Sequence, residues 1–225
     1  MTPDHHPPDE LLHDYVIGRL DAASDVLVAS HLTLCPACRT RMTVLGQVGG
    51  QLLAATPTAA LSDGFEDRLF AALDDAPPEP APTFDADGVV PGPLCALVRP
   101  HLRDPHGPLL LDNVAWRWKA PGVHMVDLLP AGDEHLPLRL VRFAPGSTVP
   151  EHDHDGDERA LILAGGWTDH RGHVDRGDFA FTPADVPGHL QRIDPGTPCV
   201  AVVLNDRPVR PRSWWMRTYA RVRGL

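Results

Sequence analysis

Between Gly146 and Gly165 the chain reads GSTVPEHDHDGDERALILAG, and the reading of this stretch decides the fold of the second half. Successive side chains in a strand alternate between faces, so His152 and His154 point the same way, and Glu158 returns to that side four residues later. Two imidazoles and a carboxylate fill three positions around a divalent cation, and a later histidine adds a fourth. The neighbouring Asp153, Asp155 and Asp157 leave a second reading, a solvated polar strand. The glycines at both ends and the apolar ALILA at 160–164 favour a folded, inward-facing site.

Around this stretch the periodicity is that of short strands. The runs LCALV, LLLDNVAWRW, HMVDLL, LRLVRFA, RALILAG, DFAFT, HLQRI and CVAVVLN begin at Leu94, Leu109, His124, Leu138, Arg159, Asp178, His189 and Cys199 and are bounded by Gly, Pro and Asp. Eight strand-sized runs at this density predict a β-sandwich or small barrel. Upstream, residues 74–93 hold six prolines and five acids, a composition that buries no core and stays extended. This segment is read as a linker between a first domain at 1–73 and a second at 94–225.

The first domain reads as helical. Leu11, Leu12, Tyr15, Val16 and Leu20 recur at helical spacing over 9–20, with Asp9 and Glu10 in the first turn. Asp21 or Ser24 caps a second helix running to His31. Pro36 suits the first turn of a third, whose apolar stripe is Met42, Leu45, Val48, Leu52 and Leu53. Ser62 is expected to cap a fourth, with Phe65, Leu69, Phe70 and Leu73 on one face. The two apolar faces either pack on each other or meet a partner.

At the junction of the second and third helices stands HLTLCPAC, residues 31–38. His31 and Cys35 lie one helical turn apart, and two residues between Cys35 and Cys38 is a spacing at which both thiolates grip one metal. Zinc needs a fourth ligand, for which His5, His6 and His13 are candidates. His13 lies inside the first helix, whereas His5 and His6 precede it and swing more freely; His6 is preferred. A disulfide between Cys35 and Cys38 is the alternative, but four scattered cysteines make no disulfide framework and fit a reducing compartment.

Charge narrows the partners. The formal net charge is −10, and residues 1–73 carry nine acidic side chains against four basic. An acidic front domain argues against DNA contact there and favours a basic protein surface. From Arg207 onward six arginines occur without an acid, beside Trp214, Trp215 and Tyr219. This tail reads as a last strand with arginines on its solvent side, with nucleic-acid binding as the alternative. No apolar run reaches the roughly 18 residues of a membrane span, and the N-terminus lacks a signal-peptide pattern, so the cytoplasm is expected.

Two resemblances follow. An N-terminal histidine, short helices and His31-x3-Cys35-x2-Cys38 opening a third helix resemble the zinc-binding anti-sigma domain. Gly146, His152, His154, Glu158 and Gly165 match every specified position of the first cupin motif, G-x5-H-x-H-x3-E-x6-G. The second cupin motif starts with Gly177 and Pro183, but His189 comes one residue late and Ile193 replaces the terminal asparagine; His170 and His173 are therefore rivals to His189. Together the two units resemble the ChrR-type anti-sigma factors over nearly the whole chain.

That resemblance implies an α+β chain in two domains, an all-α zinc-binding helical domain followed by an all-β cupin, a small barrel or jelly roll. It implies Zn2+ at His6, His31, Cys35 and Cys38. It also implies a divalent metal, taken as zinc, at His152, His154, Glu158 and His189, with room for water, peroxide or a small oxidised ligand. The partner implied is an extracytoplasmic-function-type sigma factor, held inactive until singlet oxygen or related oxidants cause its release, with no direct nucleic-acid or membrane contact and no enzyme activity. The front domain would suffice for inhibition and the cupin would be needed to respond. The rival reading is a metal-dependent cupin enzyme of dioxygenase type, with iron, manganese or nickel as alternative metals.

Overall fold

The computed structural model describes residues 2–75 and 89–213. Most of the expected linker lies outside the described residues, as do Trp214, Trp215, Tyr219 and the tail arginines Arg217, Arg221 and Arg223.

Four helices come first: α1 (Asp9–Val16), α2 (Ala22–Leu34), α3 (Pro36–Ala54) and α4 (Phe65–Asp74). The α1 helix ends earlier than its apolar spacing predicts, because Gly18 takes a left-handed conformation at φ 68°. Asp21, not Ser24, caps α2: its Oδ1 accepts the Ala23 and Ser24 amides at 2.9 and 3.0 Å. Ser62 does not cap α4. That helix starts at Phe65 behind a left-handed Gly64, and the Ser62 hydroxyl accepts from Arg68 instead.

The run LCALV, expected as a strand, is instead helical, in α5 (Gly92–Val98). Pro91 and Pro93 suit a helix start, and Leu94, Cys95 and Val98 bury one helical face. A five-residue apolar run carries no periodicity that separates the two cases. The run after it, expected as one strand, is a short 3-10 turn at Leu111–Asn113 followed by β1 (Arg117–Ala120).

Ten more strands follow among the described residues: β2 (Val123–Leu129), β3 (Leu138–Phe143), β4 (Thr148–Asp153), β5 (Glu158–Ala164), β6 (Trp167–Asp169), β7 (Gly172–Val174), β8 (Phe179–Thr182), β9 (His189–Ile193), β10 (Cys199–Asn205) and β11 (Arg210–Pro211). They form two antiparallel sheets, in the orders β1-β2-β3-β10-β5-β8 and β11-β4-β9-β6-β7. The described part of the arginine tail is an edge strand. Arg210 meets Asp155 at 2.6 Å and Arg212 meets Glu151 and Asp153 at 2.7 and 2.9 Å, so these arginines neutralise the acids around β4.

The strand β5 shows why ALILA has no polar alternation. Ala160 and Ile162 face the barrel interior, where they join Trp167, Ile193 and Ala201. Leu161 and Leu163 face outward and are covered too, in one continuous core with Leu12, Leu27, Val28, Cys35 and Cys38 of the helices and Leu94 and Val98 of α5. A strand buried on both faces reads as an unbroken apolar run. The helices therefore complete their core on the outer face of the six-stranded sheet. Between them, α2 is tied to the barrel at both ends, through Asp21 to His135 at 3.2 Å and through the His31 ring to the Gly177 carbonyl at 2.9 Å.

Other faces stay open. Met42 and Leu45 pack partly on the core, but Val48, Leu52 and Leu53 further along α3 are exposed, Leu52 at 69%. No residue of α4 is buried, and Phe70 is 63% exposed. Among the described residues no helix is long and apolar enough to cross a membrane.

Candidate metal centres

The structure brings His6, His31, Cys35 and Cys38 together, with one donor atom from each lying within 4.8 Å of the others. Local structure accounts for three of them. His31 sits in the last turn of α2, Cys35 is the residue between α2 and α3, and Cys38 lies in the first turn of α3, its amide directed at the Cys35 sulfur at 3.4 Å. The fourth arrives on the extended arm before α1. His6 Nδ1 lies 3.4 Å from Cys35 Sγ and 3.5 Å from Cys38 Sγ, and His31 Nε2 lies 3.3 Å from Cys38 Sγ. Bond lengths of about 2.05 Å to nitrogen and 2.3 Å to sulfur put tetrahedral N···S separations near 3.5 Å, so these three separations are those of a zinc site.

The competing histidines go elsewhere. The His5 ring turns to the barrel and donates to the His173 carbonyl at 3.1 Å, while His13 sits exposed on α1 beside Asp14. Burial disfavours charge on His31 and Cys38. It pushes His31 from near 6.5 down to about 4, with the nearby His6 adding to the effect, and pushes Cys38, beside Cys35, up to about 12. A dication among these two thiols and two imidazoles, which have no acid among them, would bind the cysteines as thiolates and the imidazoles in the neutral form.

The second cluster, His152, His154, Glu158 and His189, is buried at the barrel wall. His152 is on β4, opposite His189 on β9; His154 follows the end of β4. Glu158 does not continue the same strand: the chain turns at 155–157 and crosses to the other sheet, so Glu158 opens β5. His154 Nε2 and His189 Nε2 approach to 2.8 Å, and Glu158 Oε1 lies 3.9 Å from His189 Nε2. Among the described residues the buried Nδ1 atoms of His154 and His189 have no hydrogen-bond partner, and the two rings turn their Nε2 atoms to one another. His152 donates through Nδ1 to the Pro150 carbonyl at 2.8 Å, which leaves Nε2 for a cation. Burial again lowers His154 and His189, the latter to about 4, while Glu158 opposes it. Three imidazoles and a carboxylate converging on one point fit a divalent ion.

Of the rivals to His189, His170 lies in the turn after β6, exposed, its ring 5.9 Å from that of His189. His173 is in β7 and pairs with Asp194 at 2.7 Å. Sequence reading missed Asn205, whose amide donates to Glu158 Oε2 at 2.9 Å from the directly opposed position on β10. It also missed Gly177 and Asp178 as neighbours of the helical cluster. The barrel cluster opens on a cavity of about 230 Å³ between the sheets, walled by Val123, Met125, Val141, Phe143 and Ala160, with His152 and Glu158 in its lining.

Residues 109–204 match the family model of the ChrR cupin-like domain. Over 214 residues, 95% of each sequence, the chain is 35% identical to the anti-sigma-E factor ChrR of Cereibacter sphaeroides. The chain belongs to the ChrR family of anti-sigma factors. A ChrR chain crystallised in complex with SigE of Rhodobacter sphaeroides matches with a TM-score of 0.74 at 32% identity, covering 91% of this chain and 100% of that one. Both ChrR likenesses extend over helices and barrel alike, in agreement with the expected fold class of a helical front and an all-β cupin. The ChrR cupin-like match contains all four donors of the barrel cluster.

Proposed function

We propose that this chain is an anti-sigma factor and not an enzyme: it binds an extracytoplasmic-function-type sigma factor through its helical front and keeps it from RNA polymerase. The observation that carries this reading is the likeness to a SigE-bound ChrR over 91% of the chain. Zinc at His6, His31, Cys35 and Cys38 pins the arm, α2 and α3 in one arrangement. Such four-ligand sites with no open position are structural. The uncovered Val48, Leu52 and Leu53 of α3 and Phe65, Leu69, Phe70 and Leu73 of α4 are the surfaces offered to the sigma factor. Exposed apolar side chains concentrated on two helices of an acidic domain suit a partner with an apolar groove and a basic rim. The protein acts in the cytoplasm, where its partner works, and needs neither DNA nor a membrane.

The barrel is the sensing half. A divalent metal, zinc, at His152, His154, Glu158 and His189 faces the cavity and leaves a coordination position for water, peroxide or a small oxidised ligand. Oxidative stress, as singlet oxygen or peroxides, acts there and triggers release of the sigma factor. The cavity beside the metal donors also supports the second reading, a cupin enzyme of dioxygenase type. Co-purification with a candidate extracytoplasmic-function-type sigma factor, followed by metal analysis, tests both. A stoichiometric complex carrying two zinc ions per chain is expected. Absence of a complex, together with oxygen consumption by the purified chain, would sink the regulator reading.

A further inference from the structure

Three consecutive barrel residues meet either the helical metal cluster or the arm that leads into it. The Gly177 carbonyl accepts from His31 Nδ1 at 2.9 Å. The buried carboxylate of Asp178 accepts the Asp4 and His5 amides of the arm through Oδ1, at 2.8 and 3.0 Å, and the Asp175 amide through Oδ2 at 2.9 Å. The Phe179 amide donates to the His5 carbonyl at 3.0 Å, and its ring stands edge-on to that of His31 with centroids 5.8 Å apart. Gly177 has φ 96°, and a Cβ there would come within 2.9 Å of the Pro3 ring, so the turn is shaped to let the arm lie against it.

We infer that the Gly177–Asp178 turn of the barrel is the outer shell of the helical zinc site and sets how tightly that site holds its metal. The inference rests on the zinc reading given above. Gly177 fixes the His31 ring with Nδ1 as donor and Nε2 turned to the thiols. Asp178 positions the arm so that His5 faces the barrel and His6, one residue on, faces the cysteines. The Asp178 carboxylate does not touch the metal donors; it acts through the backbone that carries one of them. The arm has no helix or strand to stiffen it. Without Asp178, the ordering of His6 would have to be met from the zinc bond itself, which weakens it.

The same turn is part of the sensing half. Gly177 donates to the Ile162 carbonyl and Ile162 donates to the Asp178 carbonyl, on the strand that Glu158 opens. The barrel thus reaches the clamp through residues bonded directly to β5.

Cobalt substitution of the full-length protein separates the two sites, because only the helical cluster has sulfur to give a thiolate-to-cobalt charge-transfer band. Asp178→Ala is expected to lower cobalt affinity at that band about 10–100-fold, as loss of an outer-shell partner does. Asp178→Asn, which keeps an acceptor for the arm, should restore most of it. Asp4→Pro removes one arm amide without altering the barrel turn and should weaken binding in the same direction; it decides the matter if Asp178→Ala does not fold. His154→Ala should leave the band in place. A folded Asp178→Ala, or failing that Asp4→Pro, that binds cobalt as the wild type does would overturn the inference. A wild type with no sulfur band would instead overturn the zinc reading beneath it.

Discussion

The helical cluster draws its donors from an arm, a helix end and a helix start, and has packed side chains behind it. The barrel cluster sits on strands of two sheets at the wall of a cavity of about 230 Å³. Thiolates and a closed shell suit a structural pin; imidazoles, a carboxylate and an adjoining void suit a receptor for a small ligand. The contrast extends to their supports. The helical donors are oriented by residues far away in sequence, whereas the barrel donors are held by cross-strand neighbours, His189 opposite His152 and Asn205 opposite Glu158. On that reading one chain would keep a site built to stay closed apart from one with room beside it for a small ligand.

The largest effect expected from this contrast is at the pin. Cys35→Ala or Cys38→Ala should abolish zinc at the helical site and weaken sigma-factor binding by at least about 100-fold, since structural zinc supplies folding free energy directly. His154→Ala, by contrast, should remove the barrel metal and blunt the oxidant response while sigma binding persists. Pull-down of the sigma factor with each variant checks both, and equal behaviour of the two mutants would erase the distinction. Next in size is Phe70→Ala with Leu53→Ala. At exposed positions these should cost about 2 kcal/mol of binding, roughly 30-fold, with no loss of thermal stability. Calorimetric titration with the sigma factor measures it, and unchanged affinity would take α3 and α4 out of the interface.

At the barrel, Asn205→Ala should lower metal affinity about tenfold by releasing Glu158, leaving the helical site untouched. Chelator competition on the two metals reads the two sites separately. Acid sharpens the comparison in the metal-free protein. Burial holds His31 and His189 neutral down to about 4 against a usual value near 6.5, so between these limits the unfolded chain binds more protons than the folded one. Stability then rises with pH through that window and is complete above it. The urea midpoint of chelated protein should fall as pH is lowered from about 7 to about 4.5; a flat profile would mean that neither ring is buried as described. Smallest is Asp21→Ala, which removes the cap of α2 and its His135 tie and should cost about 1 kcal/mol. A melting curve lowered by about 2–4 °C is expected.

How much of this was legible depends on distance along the chain. His152, His154 and Glu158 are close enough for strand alternation and turn residues to group them, although not to show that Glu158 begins a strand of the other sheet. Asn205 lies 47 residues from Glu158, and only the register of β10 on β5 pairs them. LCALV was misread because five apolar residues suit either element, and Ser62 was misread as a cap because Gly64 offers a closer start. The helical periodicity exposed the stripes on α3 and α4 but not their fate, since exposure depends on what the rest of the chain fails to cover.

The contacts of Asp178 with the arm bridge 174 residues, and that of Gly177 with His31 bridges 146. On a ribosome, where the chain emerges from its N-terminus, the cysteines and histidines of the pin are all present long before the turn that steadies them has been made. A nascent front domain can gather zinc early, but its arm finds its seat only once β8 has been synthesised and paired. The seating of the arm is thereby a property of the completed protein, and a product ending before that turn would carry the ligands of the pin without the turn that steadies them.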